Sequence, residues 1–154
     1  MEIDSLRRRG YFGATVPNGS WASSPAVRRS MQGNTYRDTK PELVVRRLVH
    51  ARGLRYRVCA RPLPNLKRTA DLVFSRARVA VFLDGCFWHG CSLHHTSPTT
   101  NSGYWAVKIL KNMIRDQETN CILQNADWTV LRFWEHQNAQ EVAEAIEWVV
   151  LDQA

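Results

Sequence analysis

The run Val79-Ala80-Val81-Phe82-Leu83 constrains this chain more than any other stretch. Five consecutive apolar residues show no alternation, so a strand built from them cannot turn either face to water. Such a strand belongs at the centre of a sheet, covered on both sides. The run stops at Asp84-Gly85, which places a carboxylate at the end of the most buried strand. Residues 70–74 read as a second short strand, and Ser75-Arg76-Ala77-Arg78 joins it to the strand over 79–85 as a hairpin.

The flanking segments are helical or punctuated. Thr39-Lys40-Pro41-Glu42 fits a capping box with Thr39 as N-cap. Leu43, Val44, Leu48 and Ala51 then recur on roughly one face until Gly53 ends the helix. Residues 54–58 alternate like a strand, and 61–68 form a basic loop broken by prolines. Residues 103–126 read as a long helix, with Trp105, Ile109, Asn112, Met113, Asp116 and Asn120 at three- and four-residue steps. Residues 128–135 read as another buried strand and 140–150 as a terminal amphipathic helix. Ser24-Pro25 opens a short basic helix, and residues 1–23 read as a flexible tail ahead of one domain over 24–154. This order predicts an α/β fold, a mixed β-sheet flanked by α-helices.

Charge separates the chain into halves. Residues 1–70 hold 15 Lys/Arg against 4 Asp/Glu, and residues 71–154 hold 6 against 10. Arginine supplies 17 of the 21 positive residues, and its planar fork grips phosphate in a bidentate way. A basic half beside an acidic one suits a polyanion grip next to a site that uses carboxylates, or else an arginine-rich solvated surface. No apolar run approaches the roughly 18 residues of a membrane span, and no secretory signal follows the first basic cluster. The expected compartment is the reducing cytoplasm, where close cysteines read as metal ligands rather than disulfides. With no spare apolar helix face, a monomer is expected.

The chemistry concentrates between residues 71 and 136. Asp71 and Asp84, near the edges of adjacent strands, could share a hard cation such as Mg²⁺, or could simply be turn-forming aspartates. Cys86, Cys91 and His94 follow a C-x4-C-x2-H spacing, and His136 lies just past the last strand. Two thiolates and two imidazoles suit tetrahedral zinc, with His95 able to replace His94. Cys59 and Cys121 have no partners at metal spacing and read as small core residues. Phe87 and Trp88 stand between the metal ligands, where they could insert between bases or pack as core aromatics. His89 could serve as a general base or as a structural histidine.

The segments RDTKPE (37–42), ADLVF (70–74), DGCFWHGC (84–91), YW…K-x2-KN-x3-RD (104–116) and WTVLRFWE (128–135) together resemble the very-short-patch-repair (Vsr) mismatch endonucleases over about residues 30–136. The resemblance implies a restriction-endonuclease-like fold with structural Zn²⁺. It also implies a Mg²⁺-dependent enzyme that nicks one strand of duplex DNA 5′ to the T of a T:G mismatch. By position, it implies Mg²⁺ binding by Asp71 and the Leu83 backbone carbonyl. Asp84 stands where the family has a histidine, which makes it a candidate direct ligand. His89 matches a general base, Asp116 the acid that orients it, and Glu42 an acid near the metals. Phe87, Trp88 and Trp105 match wedge aromatics, and Arg37 joins them as a DNA contact. The zinc set departs from the family pattern at Cys91, His94 and His136, while keeping two thiolates and two imidazoles. Two other readings stay open: a nuclease of this fold without mismatch specificity, in restriction or defence, and a non-catalytic zinc module that binds DNA.

Overall fold

A computed structural model describes residues 24–26, 28–29, 37–94 and 99–154. The expected tail over 1–23, and His95 as the alternative zinc ligand, lie outside the described residues. At the start of the described chain, Pro25, Ala26, Arg28 and Arg29 are helical, and the Arg28 amide donates to the Ser24 carbonyl at 3.0 Å.

The elements that follow are α1 (Lys40–Ala51), β1 (Arg57–Ala60), β2 (Ala70–Phe74), β3 (Val79–Asp84), α2 (Ser102–Asn125), β4 (Thr129–Trp134) and α3 (Ala139–Gln153). The four strands form one mixed sheet in the order β1-β2-β3-β4. β1, β2 and β3 pair antiparallel, and β4 lies parallel to β3 with Val79 opposite Thr129 and Asp84 opposite Trp134. The parallel pair is bridged by α2, as a crossover requires. The architecture is α/β and agrees with a restriction-endonuclease-like sheet.

β3 is covered on both faces, as its composition demands. Val79 and Val81 join Val45 and Val49 of α1 and Val142, Ala143 and Ile146 of α3 in one core cluster. Ala80 and Phe82 point the other way, into a second cluster that includes Leu66, Val73 and Leu123 of α2. Two packed layers therefore clamp β3 until its last residues, and Asp84 is carried out of the core at a fixed place.

Several expectations change. The first strand runs over Arg57–Ala60 rather than 54–58. β4 is half-buried along its length rather than buried, because among the described strands it pairs only with β3. Thr39 makes no cap to a helix amide; its hydroxyl donates to Glu42 Oε1, while Glu42 Oε2 accepts from the Asp38 amide, both at 2.9 Å. Cys59 and Cys121 are not core residues, being half-buried and exposed. α3 also exposes Trp148 and Leu151, so an apolar helix face does remain in view.

Candidate active site

The C-terminal end of β3, the start of β2, the first turn of α1 and the middle of α2 surround an open cleft of about 850 Å³. Glu42, Asp71, Leu83, Asp84, His89, Asp116, Arg132 and Glu135 all line it. Lys67, Arg68 and Arg115 add positive charge to the same walls. Glu42, Asp71, Leu83, Asp84, Trp88, His89 and Asp116, all singled out by sequence, thus converge on one surface.

Asp71 accepts a hydrogen bond from the Leu83 amide at 2.7 Å. In an extended strand the N–H and C=O of one residue point to the same edge, so the Leu83 carbonyl is turned toward the Asp71 side as well. Burial pushes the Asp71 carboxyl up to about 6; the Leu83 hydrogen bond opposes this, and the charges of Glu42 and Asp84 add to it. Among the described residues, no Lys, Arg or His nitrogen lies within ion-pair distance of Asp71. A half-buried carboxylate with no cationic partner and a neighbouring carbonyl is a hard oxygen donor set, which fits Mg²⁺.

Glu42 is differently placed. It is buried and receives Arg46 Nη2 at 2.8 Å, so its charge is already paired. Arg46 also binds Asp38, and its backbone carbonyl accepts from the Tyr56 hydroxyl at 2.8 Å. Arg37 is exposed, with Nε 3.5 Å from Asp38, and it does not line the cleft.

The second group is a histidine held by acids. His89 Nδ1 lies 2.5 Å from Asp116 Oδ2 and 3.7 Å from Asp84 Oδ1. This use of Nδ1 leaves Nε2 as the nitrogen available to a substrate. Burial alone would lower the His89 pKa, but the Asp116 hydrogen bond and the charges of both aspartates outweigh it and raise it. Burial also raises Asp84, against the pull of Arg132. Arg132 Nη1 donates to both oxygens of Asp84, at 2.9 and 3.0 Å. Asp84, His89 and Asp116 offer ligand atoms within 4.8 Å of one another, a group that does not include Asp71.

Next to the histidine, Phe87, Trp88 and Trp105 form a T-shaped cluster with ring centroids 5.1 to 5.7 Å apart. Trp105 is buried; Phe87 and Trp88 are half-buried. Lys108 Nζ lies 5.1 Å over the Trp88 ring, and Asn112 donates to the Trp88 carbonyl at 3.0 Å. Gly90 turns the loop with φ +67°, and a Cβ there would lie 3.1 Å from Met113 Sδ and 3.3 Å from Ile109 Cγ2. Only glycine takes this turn without strain.

The third group is Cys86, Cys91, His94 and His136, whose ligand atoms lie within 4.8 Å of one another. His136 Nδ1 is 3.1 Å from Cys86 Sγ and 3.9 Å from Cys91 Sγ, and His94 Nδ1 is 3.9 Å from Cys91 Sγ. A tetrahedral zinc with bonds of about 2.3 Å to sulfur and about 2.0 Å to nitrogen separates S from N by about 3.5 Å. The donor set and its spacing fit zinc. Glu135 Oε1 secures the same corner by accepting from the Cys86 amide at 2.9 Å.

Arg132 and Glu135 escaped the sequence reading. Each carried a signal: a charge inside or at the end of an apolar strand must find a partner. Arg46 carried the same signal on the buried side of α1.

Comparison with known proteins identifies the family. A family described as "DNA mismatch endonuclease Vsr" matches residues 23–95. The type II nicking enzyme V.NaeI of Lentzea aerocolonigenes is 44% identical over 144 residues, 92% of this chain and 85% of that protein. The nicking enzyme V.XorIIP of Xanthomonas oryzae pv. oryzae is 38% identical over 73% of this chain and 82% of its own. The DNA mismatch endonuclease Vsr of Escherichia coli is 36% identical over 70% of this chain and 67% of its own. The chain therefore belongs to the Vsr family and is an endodeoxyribonuclease, which sets aside the non-catalytic zinc module.

Proposed function

We propose that this endonuclease nicks one strand of duplex DNA 5′ to the T of a T:G mismatch, using Mg²⁺, in very short patch repair. The observation that carries the reading is the junction of three things in one place: Asp71, the His89–Asp116 pair and the aromatic cluster of Phe87, Trp88 and Trp105. Asp71 and the Leu83 carbonyl would hold Mg²⁺, with Asp84 as a further carboxylate beside them. When bound, the ion offsets the negative charge that builds on the phosphate and lowers the pKa of a coordinated water. His89, oriented by Asp116 through Nδ1, accepts the proton of the attacking water at Nε2. Glu42, neutralised by Arg46, shapes the cleft wall next to Asp71 without adding uncompensated charge. Lys67, Arg68 and Arg115 hold backbone phosphates on either side, largely without regard to sequence. Phe87 and Trp88, backed by Trp105, wedge into the stack beside a weak pair, where unstacking costs least. Zn²⁺ on Cys86, Cys91, His94 and His136 would tie the base of the wedge loop.

The test is a nicking assay on a T:G duplex and its fully paired control, with Mg²⁺ and with EDTA. Mg²⁺-dependent nicking confined to the T strand is expected, and Asp71→Ala abolishes it. Equal nicking of both duplexes overturns the mismatch reading. The departure at Asp84, a carboxylate of the kind general restriction nucleases use, favours the second reading, a nuclease of this fold without mismatch specificity. Cutting of both strands of a fully paired plasmid is the outcome that would establish it.

A further inference from the structure

Arg132 is the only charged residue of β4. It sits at the register position opposite Phe82, and its guanidinium carbon lies 4.2 Å from the Phe82 ring centroid. Nε donates to Asn120 Oδ1 of α2 at 2.8 Å, which fixes the plane of the fork. Nη1 then reaches both oxygens of Asp84 and lies 3.6 Å from Asp116 Oδ1. The same two aspartates flank His89 Nδ1. One guanidinium thus stands where two carboxylates converge on an imidazole.

Carboxylates this close repel strongly in a partly buried site unless a cation lies near them. Asp84, His89 and Asp116 have the spacing of a metal group, yet a positive charge is already built into that group. The cleft treats Glu42 in the same way, through Arg46. Of the cleft acids, Asp71 and Glu135 are left without such a partner among the described residues, and Glu135 Oε1 is taken up by the Cys86 amide.

We propose that Arg132 is a positioning residue, a resident cation that holds Asp84 and Asp116 around His89 and competes with a divalent ion for Asp84. The proposal rests on the divalent-dependent reading above and deepens it. Asp71 is then the acid at which the ion docks, and Asp84 becomes a ligand only to the extent that Arg132 releases it. Removing Arg132 frees an anionic ligand, so divalent binding tightens while the histidine loses its frame. A residue with a merely structural role would do the opposite, since loosening the cleft weakens binding.

The experiment measures Mn²⁺ binding to the zinc-loaded, DNA-free protein by the loss of the free Mn²⁺ electron paramagnetic resonance signal. It compares the parent with Asp71→Asn, Arg132→Gln, Arg132→Lys, and the double variant Asp84→Asn with Arg132→Gln. Gln keeps a side-chain amide within reach of Asn120 and leaves the fork's charge out. Arg132→Gln is expected to bind Mn²⁺ about tenfold tighter, the factor that goes with one charge-assisted hydrogen bond. The double variant should lose that gain, and Lys, which keeps the charge, should bind like the parent. Single-turnover nicking by Arg132→Gln should fall about tenfold in rate with an unchanged KM for the duplex. Unchanged or weaker Mn²⁺ binding in Arg132→Gln overturns the proposal, as does a gain that survives in the double variant. If Arg132→Gln fails to fold, the comparison of Lys with the double variant decides instead: Mn²⁺ binding in the double variant tighter than in Lys overturns the proposal. A parent that binds no more Mn²⁺ than Asp71→Asn overturns the divalent reading itself, and this proposal with it.

Discussion

Asp71→Asn should stabilise the metal-free protein while destroying its activity. The Asp71 carboxyl is raised from 3.8 to about 6, so the neutral form suits the fold and the ionised form does not. With the folded value raised, no penalty exists below about pH 4. The penalty grows as pH rises through about 6 and is complete above it. At about 1.36 kcal/mol per pH unit, the parent is destabilised by up to about 3 kcal/mol at pH 8. Asparagine is neutral throughout and keeps an oxygen to accept the Leu83 amide. For a chain of this size, about 3 kcal/mol corresponds to roughly 6–12 °C in Tm. Thermal unfolding in EDTA at pH 4 and pH 8 is the assay. The variant should exceed the parent at pH 8 and match it at pH 4, and added Mg²⁺ should raise the parent alone by mass action. A variant no more stable than the parent at pH 8, or a gap that does not change with pH, would refute the reasoning.

Three further outcomes follow from the same geometry. Because the Asp116 bond and two carboxylates raise His89, the nicking rate should climb with pH through and beyond the ordinary histidine range as the ring loses its proton; a profile flat from pH 6 to 9 in single-turnover assays removes His89 as the base. Gly90→Ala should cost about 1–3 kcal/mol by thermal unfolding, since a non-glycine residue is strained at φ +67° and its Cβ meets Met113 and Ile109. Duplex binding should weaken steeply with salt, and Lys67→Ala should reduce the slope of log K against log salt by about 1; an unchanged slope takes Lys67 off the phosphate backbone.

Some of this was legible in the residues and some was not, for physical reasons. β3 could be read because five adjacent apolar side chains permit no exposed face, and the core clusters on its two sides are what that predicts. β4 looked equally buried, since WTVLRFWE is almost as apolar, but its burial depends on how many strands flank it, and periodicity carries no such information. Its arginine was the signal: a guanidinium inside an apolar strand marks a place where carboxylates wait. The quartet of Cys86, Cys91, His94 and His136 was legible from spacing as a possible metal group, and its ligand atoms do lie within 4.8 Å of one another. Cys59 was not, because the absence of metal partners says nothing about where a side chain faces; it lines the cleft instead. Thr39 and Glu42 had the letters of a capping box, yet the buried Arg46 draws the glutamate into an ion pair.

The cysteine–histidine group joins Cys86, just past the end of β3, to His136, just past the end of β4. These residues are 50 apart in sequence, with the whole of α2 between them. A metal there closes a long circuit of chain, and for a covalent link across such a loop the unfolded state loses entropy worth about 4 kcal/mol. The gain falls on a particular object. Phe87, Trp88 and His89 ride on a span of backbone anchored at both ends, at Cys86 and at Cys91, like a stone in a two-pronged setting. In the proposed reading, pressing these aromatic rings into stacked bases would push back on whatever carries them, and a loop clasped to two parallel strands would take that recoil without shifting His89.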